Sequence, residues 1–141
     1  MIAYLDSSVL VRIVLRELNP LVEWDELTGG VTSTLTHVET ARTLDRERLL
    51  GTRSAEELIE QRTQMADILG RLDAVPMAPA VLAHASRPFA VVVGALDAIH
   101  LASALIYRAK QSHQHEPFYF ATHDIQLARA ARAMNFEVIG A

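Results

Sequence analysis

The chain has 141 residues, a net charge of −4, half of its residues hydrophobic and 21% charged. That balance belongs to a globular protein with a substantial core, and it excludes a disordered chain or a generic basic adhesin for nucleic acid. It has no cysteine, so disulfides and thiolate zinc sites are excluded, and no apolar run reaches the ~18–20 residues that span a bilayer.

The start of the chain lacks the basic stretch and long apolar run of a secretory signal, so one cytoplasmic domain over residues 1–141 is expected, with no membrane partner. MIAYL (1–5) predicts a strand, and SVLVRIVLRE after it predicts a helix with Val9, Leu10, Ile13 and Val14 on one side. NPLVEWDEL predicts a second short helix, capped by Asn19 with Pro20 in its first position. A Gly-Gly turn introduces the strand GGVTS (29–33), and TLTHVETARTLDRERLL follows as a clear helix. SAEELIEQRTQMADILGRL is another helix, opened by a capping box of Ser54 and Glu57. AVPM (74–77) predicts a third strand and PAVLAHAS a short helix. LDAIHLASALIYRA is apolar nearly all round, the pattern of a buried helix. PFYFAT (117–122) predicts a strand, DIQLARAARAMN a helix capped by Asp124, and FEVIG a final strand. Short apolar strands alternating with helices imply a parallel α/β sheet covered on both faces.

Four carboxylates fall at informative places. Asp6 and Asp124 each follow a strand, Asp97 precedes the buried helix, and Glu39 lies less than two turns into the helix after GGVTS. In open α/β sheets, ligands bind beyond the carboxyl ends of the strands. The four acids are therefore expected to converge on one rim. For Asp6, Asp97 and Asp124 the competing role is a helix cap. At about 100° per residue, Glu39 shares an arc with Leu35, Val38 and Leu49. His37, Thr40 and Glu47 take the opposite face. The competing role for Glu39 is a pair with Arg42 three residues on. Clustered, partly desolvated carboxylates repel one another and favour the protonated form unless a cation compensates. All-oxygen donors select a hard ion such as Mg²⁺ or Mn²⁺.

YLDSSVLVR, HVETARTL, LDAIHLASAL and FATHDIQLARAAR together resemble the four acidic motifs of the PIN-domain ribonucleases. Within that superfamily they are most similar to VapC toxins of type II toxin–antitoxin pairs, with motif order and spacing agreeing along essentially the whole chain. The resemblance implies a three-layer α/β/α sandwich around a parallel sheet of four or five strands. It implies Mg²⁺- or Mn²⁺-dependent endonuclease cleavage of RNA, with Asp6, Glu39, Asp97 and Asp124 as metal-binding acids and Thr122 as the hydroxyl residue two before the last acid. Asp6, Glu39 and Asp97 are expected to bind directly or through water. Asp124, supported by Thr122, is expected as a further ligand or to position water, and Ser8 as an aid or simply a first-turn hydroxyl. Toxins of this kind resemble homodimers that pair with a small cognate antitoxin.

His37, His100 and His123 each neighbour one of these acids. His100 is expected in the core or behind a ligand rather than on the metal, because these histidines share no ligand spacing. Arg12, Arg16, Arg42 and Arg46 share faces with Ser8 or Glu39, where they hold RNA phosphates or simply meet solvent. Trp24, Leu21 and Leu27 are expected in the core, the alternative being a groove for a partner helix. Two rivals remain. A haloacid-dehalogenase-like phosphohydrolase needs a second Asp two after Asp6, where this chain has Ser8. A non-catalytic interaction domain would use the four acids as caps and surface charges.

Overall fold

The computed structural model describes residues 1–111 and 116–141. In chain order the elements are β1 (Ile2–Leu5), α1 (Ser7–Val14), β2 (Gly29–Ser33), α2 (Thr34–Leu50), α3 (Ala55–Arg71), β3 (Asp73–Val75), α4 (Pro79–Ala85), α5 (Ala95–Lys110), β4 (Phe118–Ala121), α6 (Ile125–Ala133) and β5 (Glu137–Ile139). The five strands form one parallel sheet in the order β3-β2-β1-β4-β5. β1 is central, and its apolar residues are buried on both faces, as a parallel strand requires.

Period-2 alternation divides the core into two layers. Ala3, Leu5 and Ala121 pack with Val9, Leu10 and Val14 of α1, Leu44 of α2 and Met65 of α3. Tyr4, Val31 and Phe120 face the other way, onto Leu101 and Ala104 of α5 and Leu127, Ala130 and Ala131 of α6. The result is the three-layer α/β/α sandwich, with five strands. α5 buries Ala98, His100, Leu101, Ala102, Ser103 and Ala104, which fits its nearly all-round apolar sequence. Leu21 is buried, and Trp24 and Leu27 pack against the same core. Among the described residues no helix is long and apolar enough to cross a membrane.

Local chemistry sets most boundaries. Ser33 caps α2 through Leu35 N–H, and Gly51 closes it in the left-handed region at φ 70°. Ser54 accepts from Glu57 N–H at 3.1 Å, the Ser half of the predicted box. β3 covers residues 73–75 rather than 74–77, ending at the residue before Pro76, which has no N–H for the ladder. The helix predicted from Asn19 is instead a single 3₁₀ segment, Val22–Glu26, that starts at Leu21 without a side-chain cap. Asn19 sits at φ 54°, a left-handed turn that Asn tolerates well and that cannot start a helix.

β1 hands the chain to β2 on one side, and β4 hands it to β5 on the other. The carboxyl ends of β1 and β4 therefore flank the point where the strand order reverses, the position where such sheets bind ligands. Asp6 N–H bonds Ala121 O at 3.2 Å and Thr122 N–H bonds Ile139 O at 3.1 Å, carrying the sheet's order into this rim.

Candidate active site

Asp6 leaves β1 as the cap of α1, and it does more than cap. Its side chain is 4% exposed. Oδ1 accepts from Ser8 Oγ at 2.6 Å and from Val9 N–H at 3.4 Å, and Oδ2 accepts from Thr122 Oγ1 at 2.9 Å. The two hydroxyls are themselves acceptors: Ser8 Oγ from His123 N–H at 2.9 Å and Thr122 Oγ1 from Asp124 N–H at 3.0 Å. Each oxygen of Asp6 is thus joined through one hydroxyl to the turn that carries Asp124. Burial pushes the Asp6 carboxyl above its ordinary value, against the pull of Ser8, His100, Thr122 and Val9 N–H.

Asp124 caps α6 through Oδ1, which accepts from Gln126 N–H at 2.8 Å and Leu127 N–H at 2.9 Å. Asp97 is not the cap of its helix. Gly94 holds that position, and Asp97 stands in the first turn of α5. Its carboxyl is also raised, first by desolvation and then by the negative charge of Asp124, with Asp6 and Glu39 adding to it and His100 opposing. The four acids therefore share one electrostatic neighbourhood beyond the carboxyl ends of the strands.

Glu39 reaches this neighbourhood by a route that periodicity misread. Val38 and Leu49, on its arc, are 58% and 70% exposed, and of that arc's apolar residues only Leu35 is buried. α2 instead buries Leu35, Thr36, Thr40 and Leu44. Threonines serve as core residues here because their hydroxyls are satisfied. Thr32 Oγ1 bonds Leu5 O at 2.7 Å and Thr36 Oγ1 at 2.7 Å, and Thr40 Oγ1 bonds Thr36 O at 2.8 Å. Glu39 does not pair with Arg42, which meets Asp45 at 3.4 Å. Its Oε1 lies 2.7 Å from His100 Nε2, and the other ring nitrogen of His100 lies 2.8 Å from the Tyr4 hydroxyl. His100 is 2% exposed, the core position expected, standing behind Glu39.

His37 is exposed, and His123 Nδ1 bonds Gly140 O at 2.7 Å. Arg12 turns to Asn19 O at 3.2 Å and to Glu17 at 3.8 Å. Arg16 and Arg46 are exposed. Among the described residues none of Arg12, Arg16, Arg42 and Arg46 pairs with a rim acid. Tyr4 was not singled out from sequence, because inside an apolar strand it looks like core. The available signal is parity: it lies two residues before Asp6, on the same side of the strand.

Among the described residues, no three His, Asp or Glu side chains form a ready-made metal cage. The donors nonetheless suit a hard divalent ion, which takes one or two carboxylates directly and keeps several waters. The charge crowding at Asp97 is what such an ion relieves. The hydroxyl of Ser8, bonded to Asp6, also stands where a haloacid-dehalogenase site requires its second carboxyl.

The fold and this acidic rim define a class. The PIN domain family model matches residues 3–133, and the chain belongs to that family of nucleases. No curated protein sequence matches the chain. Among solved structures it is similar to VapBC2 from Rickettsia felis bound to a DNA fragment from their promoter, with a TM-score of 0.66 and 12% identity over 98% of this chain and 97% of that one. It is also similar to PAE2754 from Pyrobaculum aerophilum, with a TM-score of 0.60 and 15% identity over 96% of this chain and 81% of that one. At these identities the likeness is one of fold.

Proposed function

We propose that the protein is a divalent-metal-dependent endoribonuclease and the VapC-type toxin of a type II toxin–antitoxin pair. The observation that carries this reading is Asp97, half-buried at the rim of a PIN fold and facing the charge of three other carboxylates. Asp6, Glu39 and Asp97 would hold a Mg²⁺ or Mn²⁺ ion directly or through water. Bound there, such an ion supplies charge to the scissile phosphate and lowers the pKa of a water.

The chain's own residues do the rest. Ser8 and Thr122 fix Asp6 from both sides, so its oxygens cannot rotate away from the rim. Asp124, spending Oδ1 on the helix cap, keeps its other oxygen for a ligand or for orienting water, and Thr122 holds its backbone in place. Arg12, Arg16, Arg42 and Arg46, on or just after the helices that carry Ser8 and Glu39, would take RNA phosphates along the approach. The toxin assignment draws on the four acidic motifs and on the shared fold with VapBC2. On this reading the protein acts in the cytoplasm as one PIN domain, forms a homodimer and is held by a cognate antitoxin that covers the acidic rim with a basic side chain.

The test uses purified protein free of any partner and a structured RNA. Cleavage is expected in single-stranded loops, where bases and phosphates are open. It requires Mg²⁺ or Mn²⁺ and stops with a chelator. No cleavage of any RNA with either ion would overturn the reading.

A further inference from the structure

We propose that His100, steered by Tyr4, is a positioning residue that fixes the Glu39 carboxylate in the orientation a cation needs, an inference that rests on the metal-nuclease reading of this rim. His100 is buried, yet both its nitrogens are partnered, Nε2 by Glu39 Oε1 at 2.7 Å and Nδ1 by Tyr4 Oη at 2.8 Å. A carboxylate only accepts, so Nε2 carries the hydrogen. Nδ1 is then the ring's acceptor, and the Tyr4 hydroxyl donates to it. One tautomer, with hydrogen on Nε2, then satisfies all three groups.

The anchor is rigid. Tyr4 belongs to the central strand, is fully buried, and stacks on Phe120 with ring centroids 5.1 Å apart. Its ring meets His100 edge-on at 73°. With Oε1 of Glu39 bound to this relay, Oε2 is left for the rim. Without the Tyr4 hydroxyl, Nδ1 becomes a buried acceptor with no donor, and the ring loses the bond that sets its angle toward Glu39. Glu39 would then be held less firmly. Tyr4 thus acts on a ligand it does not touch, as groups behind metal ligands do elsewhere.

The experiment measures Mn²⁺ affinity of the full chain by calorimetry and the ¹⁵N shifts of the His100 ring, with folding checked by circular dichroism. The parent is expected to bind Mn²⁺ and to show a single Nε2–H tautomer. Tyr4→Phe keeps the stacked ring, and it should shift the Nδ1 resonance as that nitrogen loses its donor and weaken Mn²⁺ binding by about 10-fold. His100→Phe should weaken it by about 10- to 100-fold, while His100→Gln, which keeps a donor near Nε2, should return to within about 3-fold of the parent. A role in core packing alone predicts no such split between Gln and Phe. Folded Tyr4→Phe and His100→Phe with the parent's affinity, or a parent ring carrying its hydrogen on Nδ1, would overturn the inference. If His100→Phe does not fold, Tyr4→Phe and His100→Gln decide the matter. A parent that binds no Mn²⁺ overturns the metal-nuclease reading and this inference with it.

Discussion

Asp6 shows how one residue carries two roles at once. It caps α1 through Val9 N–H, and its two oxygens are also tied by Ser8 and Thr122 to the turn before α6. The cap was legible in the sequence; the clamp was not, because its partners lie more than a hundred residues apart and meet only through the β1–β4 pairing. Thr122→Val removes one arm at nearly constant volume. It leaves a buried carboxylate oxygen short of a donor, and denaturant titration should show a loss of about 1–3 kcal/mol. The same carboxylates predict a pH effect. Asp6 and Asp97 are raised in the folded state above 3.8, so the metal-free fold holds their protons more tightly than the unfolded chain does. Their contribution is full below the ordinary value and is lost as pH rises through the raised values. Asp45, held low by the hydrogen bond and charge of Arg48, slopes the opposite way, so the comparison must be internal. Relative to Asp97→Asn, the parent should lose stability as pH rises above about 3.8, and saturating Mg²⁺ should flatten that difference. Parallel pH profiles without metal would contradict the assigned crowding.

At the scale of elements, the strands and long helices were legible because pattern and caps agreed: α2 and β2 run over the residues that apolar pattern and Gly-Gly turn marked out. The misreadings have physical causes. α2 turns threonines inward because Thr32, Thr36 and Thr40 satisfy one another and nearby carbonyls, and hydrophobic periodicity is blind to that. Asn19 has the residue type of a cap but makes a left-handed turn at φ 54°. Gly140 follows β5 at φ 90°, where a Cβ would stand 2.8 Å from Thr122 O. Gly140→Ala therefore strains the backbone beside the rim. It should lower stability by about 1–3 kcal/mol in thermal or denaturant melts. A neutral effect would show that the end of β5 is free to shift.

For the whole molecule, sheet order decides where the acids meet. Strands in the order 3-2-1-4-5 reverse direction of travel between β1 and β4, and Asp6, Asp97, Asp124 and Glu39 gather near that gap from four separate segments. Their convergence was expected from their places at strand ends and helix starts, whereas the Tyr4–His100–Glu39 relay needed three-dimensional contacts to be seen. An ion that binds only the folded state stabilises it by mass action. At concentrations about 100 times its dissociation constant, Mg²⁺ or Mn²⁺ should raise the melting temperature by about 5 °C or more over the chelated protein. Asp97→Asn, with one charge less, should shrink that gain, and equal melting temperatures with ion and with chelator would count against the site.

The central claim is that these acids hold a catalytic ion for RNA cleavage. Glu39→Gln tests it most directly, since the amide keeps the shape of the side chain and its bond to His100 but loses the charge. In preparations free of contaminating nuclease, with circular dichroism matching the parent, single-turnover cleavage of a structured RNA in Mg²⁺ should fall by about 100-fold or more, as expected for the loss of several kcal/mol of transition-state charge stabilisation. A Glu39→Gln protein that cleaves as fast as the parent would contradict the account.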